Sequence, residues 1–229
     1  MSLGGYYTKT SGSLESSSAT LSLNDNTTIA SDTAIDFNQL ELNDLPLTLA
    51  DANTDLQISS AVIMDNPNEF IITGEADLTL TELSTLYISD GGVKSTGGTL
   101  SFLGGGELTG DGIIDFSGST WVTGSSLFKL GGSFVFYQTN LRLGKDTTLT
   151  SDQPINIALL DLNGFILTLE AADNMTETLS LTVEKHLTID ESTEGISIVE
   201  ADLILKGALT MSDGLLQNTG GIIKFASNK

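Results

Sequence analysis

Two stretches of this chain align without a gap at an offset of 120 residues: LSLNDNTTIASDTAIDFNQLELNDLPLTLA at 21–50 and LRLGKDTTLTSDQPINIALLDLNGFILTLE at 141–170. They share thirteen of thirty positions, among them the leucines at 21, 23, 40, 42, 47 and 49, Thr27, Thr28, Ser31, Asp32 and Asn43. Further matches follow in the same order at offsets of 125 and 123. They are Glu75-Ala76-Asp77-Leu78 against Glu200-Ala201-Asp202-Leu203, Ser89-Asp90-Gly91 against Ser212-Asp213-Gly214, and Thr96-Gly97-Gly98 against Thr219-Gly220-Gly221. A fold for this chain must therefore build one local structure twice and stack the copies, which restricts it to repeat architectures.

A shorter beat runs inside that unit. Apolar-x-apolar pairs begin at Leu21, Leu40, Val62, Leu78, Leu100, Trp121, Leu141, Leu160, Leu181, Leu203 and Ile223, at intervals of 16 to 22 residues with a mean near 20. Every long-range match joins positions six of these intervals apart. One or two more apolar alternations lie between successive marks, and Gly, Asn or Asp stands at the breaks. Two or three short strands per beat, with turn residues between them, describe the coil of a β-solenoid. A sandwich also gives strands every 8 to 12 residues, but without the superposed beat.

The stretch LDLNGFILTLE, residues 160–170, shows what this reading demands. Asn-Gly between alternating hydrophobics is the strongest short-range hairpin signal. In a solenoid it instead turns a corner: LDLN ends one strand, Asn163-Gly164 bends the chain, and FILTL lies on the next face of the same coil. Each strand then pairs in parallel with its counterpart about 20 residues away. Asn24, Asn43 and Asn163 each follow an L-x-L pair and could stack as a side-chain ladder. Pro46, aligned with Ile166, lacks the N–H a ladder needs, so it belongs at the first residue of its strand.

The predicted fold is all-β, a parallel β-helix of about eleven coils. Residues 1–18 form an N-terminal tag or capping segment, and 19–229 form a single solenoid of two tandem units, 19–140 and 141–229, the second incomplete. Met1-Ser2-Leu3 reads as a cloning remnant at the start of a piece of a longer secreted protein. GGIIKFASNK at the other end reads as a break within a repeat.

LDLNGFILTL, its cousin LELNDLPLTL, and GGTLSFLGGGELTGDGIIDF at 97–116 resemble the coils of right-handed parallel β-helix passenger regions. Such regions occur in bacterial secreted adhesins, autotransporters and filamentous-haemagglutinin-like surface proteins. The resemblance covers residues 19–227 as a pattern. It implies a right-handed helix hand and an extracellular or cell-surface rod used for adhesion, self-association or reach, with partners that are other copies of the chain or a host or cell-surface ligand. It carries no catalytic residue with it.

Thirty acidic residues against nine basic ones give a formal net charge of -21, with Arg142 the only arginine. Nucleic acid and anionic membrane surfaces, which are bound through clustered Lys and Arg, are excluded as partners. No apolar run is long enough to span a bilayer. With no cysteine there is neither a disulfide nor a thiolate metal site.

Many β-helices cleave polysaccharides, so the alternative function is a carbohydrate-active or glycan-binding β-helix, a lyase or hydrolase or a tailspike-like binder. Asn53-Thr54-Asp55 matches the first signature of polygalacturonases, but the later paired aspartates, Gly-His-Gly and Arg-Ile-Lys of that family are missing. Arg142 could supply the arginine base of a pectate-lyase-like site, yet its place in LRLG makes it a solvent-facing strand residue. His186 alone builds neither a triad nor a histidine metal site and reads as a surface strand residue. A glycan would favour a groove with aromatics and two carboxylates; Trp121, Phe134, Phe136 and Tyr137 are the candidate aromatic patch, with Tyr6 and Tyr7 further off, although core filling explains Phe134 and Phe136 as well.

Neither a calcium-roll repeat nor an EF-hand loop occurs, although LNDN, DANTD, MDNPNE and EAADN offer oxygen ligands at corners for calcium. No other cofactor is expected, and no catalytic residue is assigned. Ice binding requires stacked Thr-x-Thr on one face. Thr79-Leu80-Thr81 is flanked one beat either way by VIM and LSF, so no such face is predicted.

Overall fold

The computed structural model describes residues 2–9, 14–81, 84, 86–104, 106–108, 113–124, 127–130, 133–136, 138–171 and 179–226. All regular structure in these segments is β, and all strand pairs are parallel. The chain winds as a solenoid of about nine turns, each turn carrying three strands and three corners.

The three faces are designated A, B and C. Face A stacks residues 27–29, Leu47–Leu49, Phe70–Gly74, Gly92–Ser95, Ile113–Asp115 and Ser133–Val135. By its place in the coil order it continues through Ile155–Ile157, Ser180–Val183, Asp202–Leu205 and Ile222–Phe225. Face B runs from residues 35–37 through Leu56–Ile58, Leu78–Leu80, Thr99–Phe102, Thr120–Thr123 and Asn140–Leu143 to Leu159–Asp161. Leu187–Ile189, which touches that last strand, and Leu209–Met211 extend it. Face C joins Val62–Met64, Leu86–Ile88, Gly106–Leu108, Leu127–Leu130, Thr147–Ser151, Ile166–Glu170, Gly195–Val199 and Leu215–Asn218. Near the N-terminus the corners are so open that Leu14–Ser31 is one bent strand crossing all three faces. The segment expected as a tag or cap enters this stack: Ser2–Lys9 pairs with residues 22–31.

Alternation explains the core. In Leu78-Thr79-Leu80, as in Leu47-Thr48-Leu49 and Leu187-Thr188-Ile189, the outer two residues are buried and the middle one is turned outward. Stacking these triplets gives three continuous columns of Leu, Ile, Val and Phe. Each such side chain, fully buried, contributes about 1.5–3 kcal/mol. In mid-rod the columns meet in an aromatic plug. Trp121 stacks on Phe136 with ring centroids 5.5 Å apart, and Phe116 lies 5.8 Å from Phe102 and 6.0 Å from Trp121.

The coil count corrects the expected eleven. The eleven apolar pairs do not mark one face: Leu21, Leu40 and Val62 lie on face C, Leu78 to Leu160 on face B, and Leu181, Leu203 and Ile223 on face A. At Val62 to Leu78, and again at Leu160 to Leu181, the series advances two faces instead of three. Ten intervals therefore make nine and one-third turns, and the mean coil is nearer 22 residues than 20. Within a face the spacing runs 21, 22, 22, 21, 20 and 19 from Ile35 to Leu160. It widens to 29 between Leu167 and Ile196.

The same slips rotate the two copies of the repeat. Leu21 on face C aligns with Leu141 on face B, and Leu78 on face B with Leu203 on face A, so copies are five and two-thirds turns apart. Local bonding survives the rotation. Thr27 Oγ1 donates to Asp25 O at 2.9 Å and Thr147 Oγ1 to Lys145 O at 3.0 Å. Ser31 Oγ donates to Thr33 O at 2.7 Å and Ser151 Oγ to Gln153 O at 2.8 Å. Each corner is thus written in the local sequence, whichever face it joins.

Candidate functional site

The Asn-Gly corner behaves as a corner, not a hairpin. Asn163 and Gly164 have φ of 50° and 86°, and Asn43 and Asp44 have 54° and 65°. Positive φ costs Asn and Asp less than other non-glycine residues. Asn163 Nδ2 donates to Leu143 O at 3.0 Å and Asn43 Nδ2 to Leu23 O at 2.8 Å, each reaching the turn before. The asparagines thus bond backbone instead of one another. Asn43 sits on a C-to-A corner and Asn163 on a B-to-C corner, so the three cannot form one ladder. Pro46, expected as the first residue of its strand, stands one residue before Leu47–Leu49, and its carbonyl accepts from Thr27 N at 3.2 Å. In the second copy Ile166 N donates to Asp146 Oδ1 at 2.9 Å; the position matching Asp146 is Asn26, opposite a proline with nothing to donate.

Beside each positive-φ pair a glutamate is folded into the corner; Glu69 belongs to the MDNPNE cluster read as oxygen ligands for calcium, and Glu194 was not singled out. Glu69 Oε1 accepts from Asp44 N at 3.1 Å, and its Oε2 accepts from Asp65 N at 2.9 Å and Asn66 N at 3.3 Å. Glu194 repeats the arrangement, with Oε1 taking Gly164 N at 3.0 Å and Oε2 taking Asp190 N at 3.1 Å. Both are buried. A carboxylate accepting several N–H bonds from two successive turns joins those turns where no strand pairing exists. The sequence signal was available: D-x-x-x-E closes both corners, at 65–69 and 190–194.

Around Glu69 lies a shallow groove of about 420 Å³, lined among others by Glu41, Asp44, Ser60, Ile63 and Asp65. Its described lining has carboxylates but no aromatic ring. The expected aromatic patch is elsewhere. Trp121 is fully buried and Phe136 nearly so, both in the plug; Tyr137 and the side chain of Phe134 lie outside the described residues. Trp121 was read with its neighbours as a surface patch; its pairing with the buried Leu100 and Leu141 instead turns it into the core, against Phe116 and Phe136.

The Asn53-Thr54-Asp55 signature is a structural corner. Thr54 is fully buried; its Oγ1 accepts from Ser31 N at 3.0 Å and donates to Asp51 Oδ1 at 3.1 Å. Asp55 Oδ1 accepts from Asp77 N at 3.4 Å, and Asp77 Oδ1 accepts from Thr99 N at 2.6 Å, a relay of aspartates up one edge. Burial raises the Asp55 pKa above the usual aspartate value, the neighbouring Asp77 charge adds to the rise, and the hydrogen bond from Asp77 N opposes it.

Arg142 is an outward strand residue, as expected. Its Nε lies 3.4 Å from Asp161 Oδ2, and NH2 donates to Asn163 Oδ1 at 2.9 Å. His186 is exposed, in the turn before Leu187–Ile189 instead of within a strand. The outward neighbours of Thr79 are Gln57 and Ser101. VIM, expected beside it, lies on face C.

The oxygen-rich clusters are used internally. Asp25 accepts from Asn26 N, Asp51 from Asn53 N, and Asn66 from Asn68 N. Among the described residues no three Asp, Glu or His side chains gather into an ion cage. Much of EAADN, from residue 172 on, lies outside those residues. No described helix is long and apolar enough to cross a membrane.

No protein-family model matches the chain, and no curated protein or solved structure matches it.

Proposed function

We propose that the chain is a noncatalytic structural and adhesive module, a stiff repeat rod of a bacterial cell-surface or extracellular filament protein that mediates adhesion or self-association. The observation that carries this reading is one apolar core lined by parallel strands on three faces, whose ladders are each interrupted once among the described residues. Bending such a rod opens apolar contacts and backbone ladders together, so the shape is stiff. At about 4.8 Å per coil, nine turns make a rod of roughly 43 Å. Its acidic sides keep neighbours apart and leave surface for a host or cell-surface ligand. The resemblance of LDLNGFILTL to adhesin passenger coils supports the extracellular setting.

Among the described residues, the rival carbohydrate-active reading draws on the carboxylates of the Glu69 groove. Incubating the chain with xylan, chitosan and polygalacturonate, and assaying new reducing ends and unsaturated sugars, separates the two. Unchanged polymers, with rods of constant width in negative stain, are expected. Cleavage of any of the three would overturn the rod reading.

A further inference from the structure

We propose that Asn163-Gly164 is a self-modification site of the chain: an asparagine set to form a succinimide, and then aspartate or isoaspartate, which the folded corner keeps latched through Leu143, Arg142 and Glu194.

Asn-Gly is the dipeptide in which this reaction meets least hindrance, because glycine places no side chain beside the attacking nitrogen. It occurs once in the sequence. The Gly164 nitrogen attacks Asn163 Cγ, the new bond closes a five-membered imide, and the Cγ–Nδ2 bond breaks. Ammonia leaves with the proton taken from Gly164 N, and water then opens the imide at either carbonyl to give aspartate or isoaspartate. Asn163 is exposed, so water reaches it.

Ring closure needs the nitrogen and Cγ in aligned contact. The folded corner draws them in opposite directions along the rod. Asn163 Nδ2 donates to Leu143 O at 3.0 Å and its Oδ1 accepts from Arg142 NH2 at 2.9 Å, so both ends of the amide are held by the turn before. Gly164 N donates to Glu194 Oε1 at 3.0 Å, on the turn after. That carboxylate also opposes loss of the amide proton, since it would face the anion left behind.

The repeat keeps the parts of the latch together. Asn43 Nδ2 donates to Leu23 O and to Ser22 Oγ, both at 2.8 Å, while Asp44 N donates to Glu69 Oε1 at 3.1 Å. Ser22 aligns with Arg142 and Leu23 with Leu143. In this copy the residue after the asparagine is aspartate, whose side chain hinders the ring, so the modification is assigned to the second copy. Other corners adopt the opposite arrangement. Asp90 Oδ1 accepts from Gly91 N and Asp213 Oδ1 from Gly214 N, each at 2.8 Å, so there the side chain lies against the nitrogen that follows it. Separation of the two groups is thus particular to the latched corners.

The change is one-way. Ionised aspartate at 163 has no N–H for Leu143 O, and it adds a charge to a corner that already holds three carboxylates. Asp161 Oδ1 accepts from Asn163 N at 3.1 Å, Glu194 holds Gly164 N, and Glu191 Oε2 lies 3.4 Å from where a Cβ on Gly164 would stand. Isoaspartate adds a backbone carbon to a corner whose spacing is set by the turns on either side. A modified corner therefore does not close again.

The test follows the amide directly. The folded chain and the same chain unfolded in urea are held in one warm, mildly alkaline buffer and digested. Mass spectrometry of the peptide spanning residue 163, with chromatographic separation of its isoaspartate form, gives the rate. The folded chain is expected to keep its amide while the unfolded chain loses it. Glu194→Ala should speed the loss in the folded chain by about tenfold or more, and Glu194→Gln, which keeps an acceptor, by less. Glu69→Ala loosens a different corner and should leave the rate at residue 163 unchanged, which separates the latch from general instability. The proposal is overturned if folded and unfolded chains lose the amide equally fast, if Glu194→Ala matches the parent, or if Glu69→Ala speeds the loss as much as Glu194→Ala. The first comparison needs no variant, and none of these outcomes bears on the rod reading.

Discussion

Glu69 reaches back twenty-five residues to take the backbone N–H of Asp44 on Oε1 at 3.1 Å, tying one turn of the solenoid to the next at a corner. Glu194 does the same for Gly164 on a different corner of the coil. The two glutamates are one element of the repeat, used twice.

Truncating either glutamate leaves part-buried N–H groups without their acceptor. Glu69→Ala and Glu194→Ala should each lose about 1–3 kcal/mol, seen as a fall of several degrees in the melting temperature followed by circular dichroism. Glu69→Gln keeps an acceptor and should lose less. Equal stability of Glu69→Ala and the parent would show that the corner is held by strand pairing alone.

Asp55 makes stability depend on pH in the direction opposite to a salt-bridged carboxylate. Its folded pKa is raised above the usual 3.8, so the folded chain holds this proton more tightly than the unfolded chain. The contribution is fully present below the unfolded value and is lost as pH rises through the folded one. Asp55→Asn removes the carboxylate and keeps an acceptor for Asp77 N. Melting curves should show the variant at least as stable as the parent at neutral pH, with the advantage shrinking or reversing in acid. A variant that loses stability only at neutral pH would contradict this.

Trp121 is the only tryptophan, and it is enclosed by the aromatic plug. Its native emission should be blue-shifted and resistant to acrylamide, moving to the red only on unfolding. Trp121→Ala opens a large cavity in mid-rod and should cost about 3–5 kcal/mol. Native emission at the wavelength of free indole in water would place the ring outside the core.

Arg142 and Asn163 touch each other but differ in weight. The Arg142–Asp161 pair is exposed, so Arg142→Ala should change stability by no more than about 1 kcal/mol. Asn163→Ala loses the bond to Leu143 O and forces alanine to a φ of 50°, so its loss should be clearly larger. Asn163→Gly, which accepts that φ, should recover part of it. Parallel thermal melts of the three variants give the order.

The oxygen-rich corners already receive backbone N–H groups. Millimolar calcium or a chelator should therefore leave the melting temperature and the sedimentation profile unchanged. A rise on adding calcium would instead locate an ion at a corner.

Parts of this architecture were legible from composition and spacing alone. The L-x-L triplets fix which side chains point inward, because a strand alternates with period two whatever it pairs with. Asn163-Gly164 and Asn43-Asp44 fix corners, because few residues accept their φ. The structural role of the corner glutamates was not legible because their partners, Asp44 and Gly164, lie 25 and 30 residues away and contribute only backbone. The plug was not legible either, because which of Phe102, Phe116, Trp121 and Phe136 meet depends on how the coils stack.

The sequence by itself determined a parallel β-solenoid, the inward and outward face of each strand, and a unit made twice. It did not determine which face each strand joins. Val62 and Leu78 carry the same apolar-x-apolar signature, yet one lies on face C and the other on face B. The three faces make identical local demands, so a strand's face is defined only by the strands hydrogen-bonded above and below it. That long-range pairing, settled in the tertiary structure, turned eleven expected coils into about nine, rotated the second copy by a third of a turn, and carried Trp121 from an expected surface patch into the core.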